Sequence, residues 1–144
     1  MIAVDVNLLV YAYDTTCPQH EGARAWLEEL FSGEQDVGLP WQTISAFLRV
    51  LTHPGVAGGR FGTAEAVAIA EEWLALPNVR TLSPGRGHWT LFRELLLKTN
   101  ARGNITTDAA LAATAIEHGA TLYTNDRDFA RFQGLRWVNP LEKE

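Results

Sequence analysis

Apolar residues along this chain fall into short continuous runs separated by longer stretches of helical period. Positions 2–5 (IAVD) are an apolar run that ends in an acid, a pattern suited to a buried parallel strand. Positions 6–13 stay apolar through Leu8, Leu9, Tyr11 and Ala12 and predict a short helix. Between positions 20 and 31, Ala23, Trp26, Leu27, Leu30 and Phe31 recur at i, i+3, i+4, i+7 and i+8, drawing one helical stripe that Gly33 closes. Positions 36–39 (DVGL) predict a second strand ended by Pro40, and positions 41–51 a helix stopped by His53-Pro54-Gly55. Thr63 is the expected N-cap of a helix reaching to about position 76, with Glu65 in its first turn. Positions 79–82 predict a third strand and positions 88–98 a further helix, followed by a polar loop at 100–104. Thr106 or Thr107 is expected to cap an alanine-rich helix through His118, small enough nearly all round to pack closely on both sides. Positions 121–124 predict a fourth strand, 126–132 a short helix or turn, and 136–138 a last strand.

Strands alternating with helices in this way predict an α/β fold: a three-layer α/β/α sandwich on a mainly parallel sheet, with right-handed crossovers. A chain of 144 residues with 47% hydrophobic positions suits one domain over residues 1–144. No apolar run reaches the roughly 18 residues a membrane span needs. The apolar start lacks a basic segment and is interrupted by Asp5, so it makes a poor signal peptide, and a cytoplasmic protein is expected.

In parallel sheets of this kind ligands bind beyond the carboxyl ends of the strands. Asp5 ends the first strand, Asp108 is expected near the start of the helix leading into the fourth, and Asp126 and Asp128 follow the fourth. A charge after a buried strand is costly unless it meets a cleft or a cation. Each acid has a plainer reading: Asp108 as a helix-start residue, Asp126 as a turn acid, Asp128 paired with Arg127, Arg131 or a backbone N–H. Their joint placement at strand ends favours a shared site for a hard divalent cation, magnesium being the natural one for phosphodiester hydrolysis. Asn7 and Thr124 are candidates for holding these carboxylates in place.

Charge and cysteine content narrow the chemistry. A net charge of −5 argues against a broad basic surface for nucleic acid, yet 10 of the 12 basic residues are arginine, so a local phosphate site remains open. Arg49 and Arg102 are candidates for it, with surface ion pairing as the alternative. Cys17 is the only cysteine, which rules out an internal disulfide and a thiolate zinc cage. His20, His53, His88 and His118 form no constellation, so a triad is not expected. Neither a P-loop nor a dinucleotide fingerprint is present.

The segments IAVDVNLLVYAYD, WQTISAFLRVLTHPGV, GNITTDAALAATAIEHGATLYT and TNDRDFARFQGLRWVNP, taken in order, resemble PIN-domain ribonucleases, most closely the VapC toxins of type II toxin–antitoxin pairs. The resemblance implies a Rossmann-like PIN fold and a magnesium- or manganese-dependent endoribonuclease. It also implies a homodimer, here expected to use exposed helix faces near 41–51 and 63–76, and a cognate VapB-type antitoxin. Asp5, in the DxN start, corresponds to the first family acid, Asp108 to the acid after the Gly-Asn loop, and Asp126 to the acid after the fourth strand. The first and third of four family acids are the usual magnesium ligands, which puts Asp5 and Asp108 first. A family glutamate expected in the helix after strand two is replaced by Ala46, with Gln42 and Ser45 as neutral neighbours; Asp128 could compensate by moving inward. Two other readings compete. An aspartate-nucleophile phosphatase would need a second Asp where Asn7 stands and a lysine better placed than Lys98 or Lys143. A catalytically weakened binding module would keep the fold and the antitoxin surface.

Overall fold

The computed structural model describes residues 1–142. Five strands, β1 (Ile2–Val4), β2 (Val37–Pro40), β3 (Val79–Leu82), β4 (Thr121–Tyr123) and β5 (Trp137–Val138), form one sheet in the order β3-β2-β1-β4-β5. Every pairing is parallel. Six helices accompany them: α1 (Val6–Tyr11), α2 (His20–Ser32), α3 (Trp41–Leu51), α4 (Thr63–Leu74), α5 (His88–Thr99) and α6 (Asn104–Glu117). The α/β sandwich predicted from the apolar pattern is therefore the one observed.

Because side chains alternate across a strand, each central strand feeds two cores. Ile2, Val4, Val37 and Leu39 point into a core shared with α1, α2, α3 and α4, where Leu8, Leu27, Phe47 and Trp73 lie. Ala3, Leu82 and Leu122 point to the opposite face, where α5, α6 and Phe129 cover them. The small residues of α6 let it lie close to the sheet: Ala109, Ala112, Ala113 and Ala115 have no exposed surface. Gly38 on β2 makes room for a side chain of the neighbouring strand, since a Cβ there would fall 2.6 Å from a methyl of Leu82.

Several boundaries differ from expectation, each for a local reason. β1 stops at Val4, and Asp5 becomes the N-cap of α1 with its carboxylate accepting from the Val6 N–H. Pro40 does not stand outside β2; it is the last strand residue and leads straight into α3. Thr63 is the first residue of α4 rather than its cap; the Gly62 N–H instead donates to the Glu65 carboxylate. α6 begins at Asn104, earlier than either threonine, because Gly103 turns the chain at φ 56°, ψ −126°. Asp108 is consequently one turn inside α6, and the first turn carries no acid. Among the described residues no helix is long and apolar enough to cross a membrane.

Candidate active site

From β1 the chain moves outward to β2 and β3 on one side of the sheet, and β4 and β5 lie on the other. The order of strands thus reverses between β1 and β4, where such sheets open a crevice at their carboxyl end. Asp5 leaves β1 at that point, and Thr124, Asn125 and Asp126 leave β4 beside it.

Asp5 is buried, at 7% exposure, and both of its oxygens are engaged. Oδ1 accepts from the Val6 N–H at 2.7 Å, and Oδ2 accepts from the Thr124 hydroxyl at 2.7 Å. Thr124 is the hub of the site. While donating to Asp5, its Oγ1 accepts from the Asp126 N–H at 3.0 Å and from Asn7 Nδ2 at 3.3 Å. Asn7 also accepts from the Asn125 N–H at 3.3 Å, so the start of α1 and the end of β4 are laced together. Thr124 thus bonds the Asp5 carboxylate directly, and Asn7 reaches it only through Thr124. Asn125 extends the network to Asn139 at 3.0 Å, and sequence reasoning missed both; the polar run after a buried strand was the available signal.

The acids share one electrostatic field. Burial pushes the Asp5 carboxyl up from its usual range, the hydrogen bonds from Thr124 and Val6 pull it back, and the charge of Asp126 pushes it up again. Asp108 is pushed up to about 6, first by burial, then by the charges of Asp126 and Asp5, with Arg131 opposing and Asp128 adding a little. Arg131 and the hydrogen bonds to Asp5 offset this mutual repulsion only in part, and oxygen-rich acidic clusters of this kind are the chemistry that hard divalent cations take. The donors on offer are carboxylate oxygens, the type a magnesium-type ion takes. Among the described residues, no three aspartates, glutamates, histidines or cysteines close around one point on their own.

The remaining candidates divide. Asp126 accepts from the Asp128 N–H at 2.9 Å and so caps the 3-10 turn Arg127–Arg131, as a turn acid does, while its charge acts on both Asp5 and Asp108. Asp128 is exposed, lies 3.9 Å from Arg131, and does not move inward to replace the missing glutamate. Arg102 is exposed on the loop before α6. Arg49 is in the last turn of α3, roughly 12 Å along the helix axis from its start at the sheet edge. Lys98 is exposed near the end of α5, and Lys143 lies outside the described residues. His20 and His118 bond backbone carbonyls at 2.8 Å, and His53 accepts from the Gly55 N–H, so these three histidines do local structural work.

Comparison with known proteins points one way. The family model described as the PIN domain matches residues 2–135. Ribonuclease VapC33 of Mycobacterium tuberculosis is 41% identical over 143 residues, covering 99% of this chain and all of that protein. Ribonuclease VapC43 of the same species is 40% identical over 142 residues, covering 99% of this chain and 97% of that one. In fold, the chain resembles VapBC2 from Rickettsia felis bound to a DNA fragment from its promoter, with TM-score 0.70 and 18% identity over 96% of this chain and 98% of that one. It also resembles VapC20 of M. tuberculosis, a sarcin-ricin loop cleaving toxin, with TM-score 0.69 and 21% identity over 94% of this chain and 99% of that one.

Proposed function

Because this chain belongs to the PIN-domain family, and within it to the VapC ribonucleases, we propose that Asp5, Asp108 and Asp126 form the divalent-metal site at which it hydrolyses RNA. The observation that supports the site assignment is that Thr124 ties Asp5 and Asp126 together at the sheet's switch point, with their charges acting on Asp108. Asp5 and Asp108 are the primary ligands and Asp126 the third acid. Magnesium, or manganese in its place, suits so open a set because it keeps several waters and needs few protein ligands. When bound, the ion supplies an activated water and screens charge on the phosphate. Thr124 holds the Asp5 carboxylate in one orientation, and Asn7 holds Thr124. Arg102, on the loop that opens α6, supplies a guanidinium for the RNA backbone, and Arg49 a second, more distant one.

We further propose a VapB-type antitoxin as partner and the cytoplasm, where RNA is available, as the place of action. A homodimer completes the reading, with Val67 and Leu74 on α4 as apolar surface for a second copy to cover. The relatives' ribonuclease names favour this reading over an aspartate-nucleophile phosphatase.

The test is to incubate the purified chain, free of partner, with structured RNA, with magnesium or with excess chelator, beside Asp5→Asn. Cleavage is expected only for the unaltered chain with magnesium. Cleavage that survives the chelator, or that the variant retains, removes the proposed site.

A further inference from the structure

Helix α3 starts where β2 ends, at the carboxyl edge of the sheet, and two side chains of its first turn reach out to the elements that carry Asp5 and Asp108. Thr43, only 2% exposed, donates from its hydroxyl to the carbonyl of Val4 at 3.1 Å. Val4 is the last residue of β1, and the next residue is Asp5. Gln42 donates from Nε2 to the carbonyl of Thr107 at 2.9 Å, and the next residue is Asp108. The two bonds join positions 39 and 65 residues apart in sequence, so they tie tertiary structure rather than a local turn. From α3 on one face of the sheet they grip the central strand β1 and, past the sheet's edge, the helix α6 that covers the other face.

We propose that Gln42 and Thr43 are positioning residues, a two-point clamp that sets the spacing of Asp5 and Asp108 and thereby the geometry in which they take a divalent cation. The proposal rests on the reading that these two carboxylates hold the ion. Two like charges brought together at a crevice push their carriers apart, and a restraint on the carriers is what keeps both oxygens within reach of one small ion. Both bonds are made to backbone carbonyls one residue before the acid, so each fixes the main chain from which the carboxylate projects. Helix α3 is also where the family resemblance places an acid and this chain has Ala46. Here the helix contributes restraint from its first turn in place of charge from its second.

The experiment measures manganese affinity of the intact chain by titration calorimetry for Gln42→Met, Thr43→Val, Thr43→Ser, Asp5→Asn and Asp108→Asn. Melting of each is followed in chelator. Gln42→Met keeps length and bulk while removing the donor, and at a half-exposed position it is expected to leave the metal-free melting temperature within about 2 °C of the parent. Loss of supporting partners around a metal site weakens binding by about 10–100-fold, so Gln42→Met and Thr43→Val are each expected to lose at least about tenfold. Thr43→Ser, which keeps the hydroxyl, is expected to restore affinity to within about twofold of the parent. Parental affinity in both Gln42→Met and Thr43→Val, with both aspartate variants unable to bind, overturns the clamp and leaves the metal site standing. A Thr43→Ser loss as large as that of Thr43→Val overturns the role of the hydroxyl. Should Thr43→Val fail to fold, Gln42→Met alone decides. Parental affinity in the two aspartate variants instead means the metal reading has failed, and the clamp with it.

Discussion

A single hydroxyl organises the acidic crevice. Thr124 Oγ1 donates once, to Asp5, and accepts twice, from Asn7 and from the Asp126 N–H, so its hydrogen-bonding capacity is filled. Thr124→Val keeps the shape and removes all three bonds at a site with no solvent exposure. The expected cost is about 1–3 kcal/mol, chiefly from the polar groups left without partners, read as a lower midpoint in urea unfolding. Asp108 behaves in the opposite sense. Its carboxyl is pushed up to about 6 from 3.8, so between those values the folded chain holds a proton that the unfolded chain has released. A raised carboxyl therefore costs stability as pH rises through that window, and the whole cost is present above about pH 6. Asp108→Asn removes it. After discounting for solvent screening of a partly exposed group, the metal-free variant is expected to gain about 1 kcal/mol at pH 7.5, or about 2–4 °C in melting temperature. That gain is expected to shrink toward zero as pH falls to 4. A variant no more stable than the parent at pH 7.5 would show that Asp108 is not strained by its neighbours. The same protonation competes with metal, so manganese affinity of the parent should fall progressively below about pH 6 in calorimetric titrations.

Among the elements, α6 shows where sequence pattern carries information and where it does not. Its apolar and alanine positions predict a closely packed helix, and Ala109, Leu111, Ala112, Ala113 and Ala115 are buried as that pattern demands, while Ile105, Ala110 and Ile116 are only partly covered. Thr106 and Thr107 have the side chains of caps, yet the helix starts earlier, because its cap depends on Gly103 adopting φ 56°, ψ −126°. A backbone conformation of that kind leaves no periodic trace; only the Gly-Asn pair hints at it. The difference matters for function, because it moves Asp108 off the helix start and weakens its reading as a residue serving the helix dipole. Gly103 has open space where a Cβ would go, so Gly103→Ala suffers only backbone strain, of about 1–3 kcal/mol. Thermal melting of the metal-free variant should show a loss of several degrees, and manganese affinity should fall with it as the start of α6 shifts. Asp5 was legible for the opposite reason: an acid directly after an apolar strand is costly wherever it is not used. Thr43 was not legible, since its partner, the Val4 carbonyl, lies 39 residues away and gives no local signal.

At the scale of the whole molecule, the order β3-β2-β1-β4-β5 brings residues 5, 108 and 124–126 to one crevice although they are far apart in the chain. Parallel pairing makes this possible, because all strand ends of one polarity share one edge, and the alternation of strand and helix along the chain is enough to predict that edge. The same scale sets how RNA is held. With a net charge of −5, the chain as a whole repels a polyanion, and on the proposed reading attraction is confined to a cation held in the acidic crevice and to a few arginines. Each phosphate neutralised on a single strand contributes about −0.7 to the slope of log affinity against log salt. Two contacts, from Arg102 and Arg49, would give a slope of about −1.4, against about −5.6 for a basic surface making eight contacts. The expected result, from kcat/KM measured over a range of KCl at constant free magnesium, is the shallow slope, and Arg102→Ala should make it shallower by about 0.7. A steep slope would mean that RNA meets more cationic contacts than Arg102 and Arg49 supply, such as those a second copy of the chain would add.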